Sequence, residues 1–269
     1  MDPTQVAKEV EAILAAADFE SAVDTATQRE QEALNRLSEQ RYNEAFHQCD
    51  VAAEIYHRLS DGQEPDAPIS IALSLAWAKT RLTHGAALRR AGTLPAAAKM
   101  YQSAEERLKE VSAHVFELEE KHQELTFDWA TTTGVLLMNQ GVLYSDVGEK
   151  AEALDAWEQS EELLFELYLR SVGPDADLEC AGHVINLWDN ILSAATDLDD
   201  VERASTAVEN AFKLFLWWPS QEKEHPDEIA DAFGSLLATI NELSPTHRAQ
   251  LDAHLPEQVQ VIIEDLLSD

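Results

Sequence analysis

The chain has 269 residues, 45% hydrophobic and 26% charged, which are the proportions of an ordinary soluble globular protein able to bury a sizeable core. Its 51 acidic and 19 basic residues leave a formal charge of −32 at pH 7, which repels phosphate backbones and argues against general nucleic-acid binding. No uncharged apolar run reaches the length of about 18 residues that a membrane span needs, and Met1-Asp2-Pro3-Thr4 lacks the start of a secretory signal, so a cytoplasmic location is expected.

Asp2-Pro3 caps and opens a short helix running to about Ala17. Helices follow over Phe19–Ser38 and from Tyr42 to about Leu59, and the segment from Asp61 to Pro68 is expected to be a linker. The pattern then predicts helices from Ile69 to Ala91, from Pro95 to about Lys121, from Phe127 to Val147 and from Lys150 to Ser171. Gly173-Pro174-Asp175-Ala176-Asp177 makes a second break, followed by helices over 178–196 and 200–217, where Trp217-Trp218-Pro219 stops the last. After His225-Pro226 a helix extends to about Leu243, and Ser244-Pro245 and Leu255-Pro256 precede two short closing helices. No segment reads as a strand, so the expected fold is all-α.

Two segments repeat one spacing. Gly85, Leu88, Gly92, Ala97, Tyr101 and Ala104 match Gly141, Tyr144, Gly148, Ala153, Trp157 and Ser160. The second Gly of each set falls where a helix must end and the backbone must take positive φ. The first lies inside a helix, where it costs up to about 1 kcal/mol against Ala and is tolerated when a neighbouring helix approaches closely. The Ala and the aromatic lie one turn apart on the next helix, a small residue to admit the neighbour and a large one to fill the space beside it. Weaker copies run through Trp188, Ile191, Leu192, Ala195, Ala204, Val208 and Ala211, with Asp199 in the turn, and through Ala33, Tyr42, Ala45, Cys49 and Ala52.

These residues resemble the tetratricopeptide repeat family over about two-thirds of the chain. The period departs from it: Ala33, Gly85, Gly141 and Leu192 lie 52, 56 and 51 residues apart, against about 34 in the standard unit. The resemblance implies a right-handed superhelical stack of antiparallel helical hairpins, a TPR-like α-solenoid. It would form one elongated domain over 1–269, with repeats at 18–60, 69–121, 127–171 and 178–218 and capping helices at 224–269.

Motifs for catalysis are missing. The sequence has no P-loop, GxGxxG, GxSxG or HExxH, its nine His are scattered, and its carboxylate pairs suit polar helix faces. His114 and His122 have Leu118 midway between them, which is no ligand row. Cys49 and Cys180 suggest neither a disulfide framework nor a metal site, and Cys49 is expected to be buried. The chain is therefore expected to be no enzyme and to need no cofactor or metal.

Positive charge is concentrated at Lys79, Arg81, Arg89, Arg90, Lys99, Arg107 and Lys109. In the family the first helix of each hairpin lines a concave groove. Carried onto this sequence, that face holds Lys79, Leu82, Thr83, Arg89 and Arg90, then Asn139, then Asn186 and Asn190. Asparagines there could pair with an extended peptide backbone and arginines could grip a carboxylate. The bland reading puts Arg89 and Arg90 at a helix C-terminus with nearby Glu partners. Trp217 and Trp218 are either packed by C-terminal helices or an exposed anchor for a partner. The acidity allows a solvated surface, adaptation to a salt-rich cytoplasm, or attraction of a basic partner. Three functions follow: an adaptor or scaffold holding a peptide or protein in its groove, an acidic chaperone for a basic or aggregation-prone client, and a peptide-sensing signalling regulator.

Overall fold

The computed structural model describes residues 3–118, 121–171, 178–217 and 227–268. Gly173–Asp177, Trp218-Pro219 and His225-Pro226 lie outside the described residues, as do the side chains of Cys180 and Trp217. Within the described residues every regular element is an α-helix and no strand occurs. In chain order these are α1 (Pro3–Ala16), α2 (Phe19–Ser38), α3 (Tyr42–Asp61), α4 (Pro68–Arg90), α5 (Leu94–Glu117) and α6 (Gln123–Asp146). They continue with α7 (Lys150–Ser171), α8 (Leu178–Asp197), α9 (Val201–Trp217), α10 (Asp227–Glu242), α11 (Pro245–His254) and α12 (Glu257–Ser268). Among the described residues no helix is long and apolar enough to cross a membrane.

The expected helix boundaries hold to within a few residues, with one notable shift. α5 stops at Glu117 instead of near Lys121, and α6 starts at Gln123 instead of Phe127. The link between them contains neither Gly nor Pro, so the helical pattern of the sequence passes through it unmarked.

Four turns share one geometry, and their cause is visible in the backbone. α2–α3, α4–α5, α6–α7 and α8–α9 are each joined by three residues, and the middle one has positive φ: Gln40 at 60°, Gly92 at 76°, Gly148 at 86° and Asp199 at 57°. In each, the N–H of the following residue donates to the carbonyl five positions back, a Schellman-type closure. Arg41 donates to Arg36 O at 2.8 Å, Thr93 to Leu88 O at 2.9 Å, Glu149 to Tyr144 O at 2.9 Å and Asp200 to Ala195 O at 2.8 Å. Seven residues before each turn residue stands Ala33, Gly85, Gly141 or Leu192, all buried. Five and nine residues after it stand Ala45 and Cys49, Ala97 and Tyr101, Ala153 and Trp157, or Ala204 and Val208, again all buried. The repeat legible in two copies is thus present at four turns.

The chain divides into two compact units, Met1–Leu143 and Tyr144–Asp269. In the first, α3 packs against α1, α2 and α4, α4 packs against α5, and α2 reaches α4. Val6 and Val10 of α1 join Val51, Ala52, Ile55 and Tyr56 of α3 in one core, while Ile71, Leu75, Ala78 and Leu82 of α4 meet Ala97, Tyr101, Ala104 and Leu108 of α5 in another. Gly85 shows why a helix tolerates glycine here. A Cβ on it would lie 2.3 Å from a ring carbon of Tyr101, inside the space the ring fills. α6 is tied to α5 by the Trp129 indole, which donates to Leu108 O at 3.0 Å and meets Phe116 edge-on at 5.1 Å.

In the second unit α8 is central, packing against α7, α9 and α10, and α11 lies on α9. Trp188 of α8 is fully buried, edge-on to Phe165 at 5.8 Å, and its indole N–H donates to the Glu161 carboxylate at 2.7 Å. Phe212 of α9 meets Phe233 of α10 edge-on at 4.9 Å.

Candidate partner-binding groove

α2 and α4 run side by side in the same direction in the first unit. Phe19 and Ile69 share one end of the space between them, and Glu30 meets Thr80 further along. Residues about 50 apart therefore face each other. The sequence of α4 explains what this makes. From Pro68 to Trp77 its only polar residues are Ser70 and Ser74, so apolar side chains surround the helix and a single buried stripe cannot take them all. Ile71 and Leu75 enter the core shared with α5, Leu73 enters the core under α3, and Ile69, Ala72 and Ala76 face α2. Ser70 and Ser74 are satisfied at the α3 junction, their hydroxyls 3.2 and 3.3 Å from that of buried Ser60.

The result is an open groove of about 400 Å³ between the N-terminal halves of α2 and α4. Val23, Ala72, Leu73 and Ala76 line it, and Tyr56 contributes from α3 below with its hydroxyl 3.1 Å from that of Thr27. Burial pushes the Tyr56 phenol up from its ordinary range against the opposing Thr27 hydrogen bond, so this floor is neutral. On the rim Phe19 and Ile69 keep 36% and 42% of their surface exposed, beside the exposed carboxylates of Glu20 and Asp24.

One turn along both helices the surface becomes charged. Lys79 of α4 forms an ion pair with Asp128 of α6, and Glu30 of α2 lies close enough to Lys79 to feel its charge. Burial raises the Glu30 carboxyl above its ordinary 4.5, with Lys79 and the Thr80 hydroxyl opposing and Asp128 reinforcing. Glu30 of α2, Lys79 of α4 and Asp128 of α6 thus form an acid–base–acid row.

The sequence-predicted face is only partly assembled. Lys79 and Thr83 lie on one side of α4, Thr83 donating to Lys79 O at 3.2 Å. Leu82 is 5% exposed and packs in the α4–α5 core. Arg89 is half-buried and Arg90 exposed, both in the last turn of α4 as the helix dipole favours. Asn139 of α6 donates its amide to Val135 O at 2.8 Å, one turn back on its own helix. Asn186 and Asn190 belong to α8 in the second unit, the first exposed and the second half-buried, with Asp189 between them accepting from Ser235 of α10 at 2.9 Å.

Most of the concentrated cations have local partners. Arg81 pairs with Asp50 at 3.3 Å, Arg107 with Glu110 at 3.4 Å, and Lys109 with Glu105. Arg81 and Arg107 both stand over the Trp77 ring, at 5.1 and 5.5 Å from its centroid. Burial acts to raise the Asp50 carboxyl, but His84 and Arg81 outweigh it and hold the group below its ordinary value. Cys49 is buried as expected, and burial pushes its thiol up to about 12, leaving it an inert core residue.

The second unit has its own cavity of about 340 Å³, where Arg203 bridges Glu158 at 3.0 Å and Asp200 at 3.5 Å beside Glu161 and Glu202. Among the described residues no group of three or more His, Cys, Asp and Glu side chains is placed to hold a metal ion. Sequence reasoning missed the α2 wall, Phe19, Glu20, Val23, Asp24 and Thr27, and the start of α4. The signal that could have found them is the all-round apolar stretch from Pro68 to Trp77. Comparison with protein-family models, curated proteins and solved structures finds no match for this chain.

Proposed function

We propose that this chain is a non-enzymatic protein-interaction module, a tetratricopeptide-like adaptor or scaffold of stacked right-handed hairpins that takes a peptide or protein segment against its first helices. The observation that carries the reading is the open apolar groove between α2 and α4, with Phe19 and Ile69 exposed at its edge. A groove of this form offers side-chain anchoring for a partner segment. The acidic rim favours the chaperone-like version of the same reading, in which the client is basic.

The test is affinity capture of partners from native lysate by wild-type protein and by Ala76→Trp, which fills the groove without changing charge. Partners held by wild-type and lost by the variant are the expected result, with circular dichroism showing the variant folded. Arg89→Glu with Arg90→Glu tests the alternative that a partner carboxylate is gripped at the end of α4. Capture indifferent to both sets would remove the first-helix face as the working surface.

A further inference from the structure

We infer that the α2–α4 groove takes a cationic segment of a partner protein, one that inserts a bulky apolar side chain between Phe19 and Ile69 and sets flanking Lys or Arg against the acidic rim. The inference rests on the interaction-module reading above and adds the chemistry of the occupant.

Charge on the two walls carries the choice. From Val10 to Gln28 and from Leu59 to Ala78 the sequence contains no Lys or Arg, although these stretches build both sides of the groove. The same stretches hold Asp18, Glu20 and Asp24 at the start of α2, and Asp61, Glu64 and Asp66 in the segment leading into α4. All six are exposed. Glu20 and Asp24, on the rim itself, form no ion pair among the described residues. Asp18 is held ionised, its carboxylate accepting from the Ser21 N–H at 2.9 Å as the cap of α2. The first cation beyond each wall is already paired, Arg29 of α2 with Glu9 at 2.8 Å and Lys79 of α4 with Asp128. An apolar floor beside the unpaired carboxylates of Glu20 and Asp24 attracts a partner that is both apolar and positive.

Other occupants fit less well. An anionic membrane surface or a nucleic acid carries the same sign as the rim. A second copy of this chain brings a further charge of −32 to a site already acidic. An acidic peptide tail would need cations in the walls, and the walls have none.

The experiment uses the full chain and three labelled synthetic peptides of equal length: a Leu–Lys amphipathic helix, a Ser–Lys peptide of the same charge, and a Leu–Glu helix. Fluorescence anisotropy is expected to give the Leu–Lys peptide an affinity about tenfold or more above either control, as a buried anchor requires. That affinity is expected to fall steeply between low and moderate salt as rim charges are screened. Glu20→Lys with Asp24→Lys should weaken it about tenfold, much of the loss in association rate. Ala76→Trp should weaken it comparably without altering the salt slope, and Phe19→Ser with Ile69→Ser, at two exposed positions and with folding checked by circular dichroism, should do the same.

Equal binding of the Ser–Lys peptide would mean charge without a groove and would overturn the inference. So would equal binding of the Leu–Glu peptide, or unchanged Leu–Lys affinity in the groove variants. Where Ala76→Trp abolishes capture of cellular partners but the rim reversal leaves capture intact, the module reading stands and the cationic occupant falls. Where every groove variant captures the same partners as wild-type, the module reading itself falls.

Discussion

Gly85→Ala adds one methyl group where the Tyr101 ring already stands. The new Cβ would lie 2.3, 2.7 and 2.9 Å from three ring carbons, whereas carbon atoms pack at about 3.5–4.0 Å. Tyr101 is 1% exposed, so the ring cannot swing away and α4 and α5 must separate. Overpacking costs about 1–3 kcal/mol, and three contacts below 3.0 Å to an immobile ring place this one in the upper part, about 2–3 kcal/mol; the roughly 1 kcal/mol that Ala gains over Gly in a helix leaves a net loss of about 1–2 kcal/mol. The first copy of the repeat shows the compensation, since Ala33 and Cys49 occupy the equivalent places. Tyr101→Cys alone should cost about 3 kcal/mol as an aromatic-to-small truncation. In that background Gly85→Ala no longer meets a ring and should stabilise by about 1 kcal/mol, giving a coupling of about 2–3 kcal/mol against an additivity limit near 0.5 kcal/mol. Hydrogen exchange of the α4 and α5 amides reports the first unit alone and measures all four proteins. A Gly85→Ala protein as stable as wild-type, or two substitutions whose effects simply add, would refute the small-and-large interlock as the reason for the glycine.

The turn residues make a paired prediction with opposite signs. Gly92 has φ of 76° and open space around it, so Gly92→Ala should lose about 1 kcal/mol from backbone strain alone, while Gln40→Gly, at φ of 60°, should gain up to about 1 kcal/mol; thermal melts moving the same way would contradict it. Glu30, held above 4.5 by burial, binds its proton more tightly folded than unfolded, so its part of the stability grows as pH falls from the folded value toward 4.5 and is a penalty above it. Glu30→Gln should therefore stabilise the first unit at pH 7 and flatten its pH dependence above 4.5, and a destabilised variant with the wild-type pH profile would sink that account.

The fold was legible because its signals are local. Gly92 and Gly148 announced their turns, and Asp199 could be placed by register with them, because positive φ leaves few residue choices. Gln40 gave no such sign, since glutamine has no preference for that region, and only the period places it. The α5–α6 boundary was missed for the related reason that its link has no Gly or Pro. The groove was harder, because it depends on which residues of α2 face which residues of α4. That register, Glu30 against Thr80, comes from packing through α3 and leaves no mark on either helix alone. Leu82 illustrates the same limit: the transferred face assigned it to the groove, yet it is 5% exposed in the core.

In a chain with 51 acids and 19 bases, cations are the scarce resource, and their placement tells where negative charge must be neutralised for the fold to form. Part of the concentration from Lys79 to Lys109 follows that logic: Lys79 serves Asp128 and Glu30, Arg81 serves Asp50 and Lys109 serves Glu105, all half-buried carboxylates, while Arg107 reaches the exposed Glu110. Half-buried carboxylates between packed helices need such partners, because an uncompensated charge at reduced exposure costs several kcal/mol on the order of a whole domain's stability margin. Exposed carboxylates do not need them. Residues 10–28 and 59–78, like several longer stretches elsewhere in the chain, contain no cation, and they include the part of α4 that has apolar surface open beside α2. Much of the positive charge concentrated in so acidic a protein thus goes to its own carboxylates, and in the proposed reading the cation-free walls beside Phe19 and Ile69 are the surface offered to a partner.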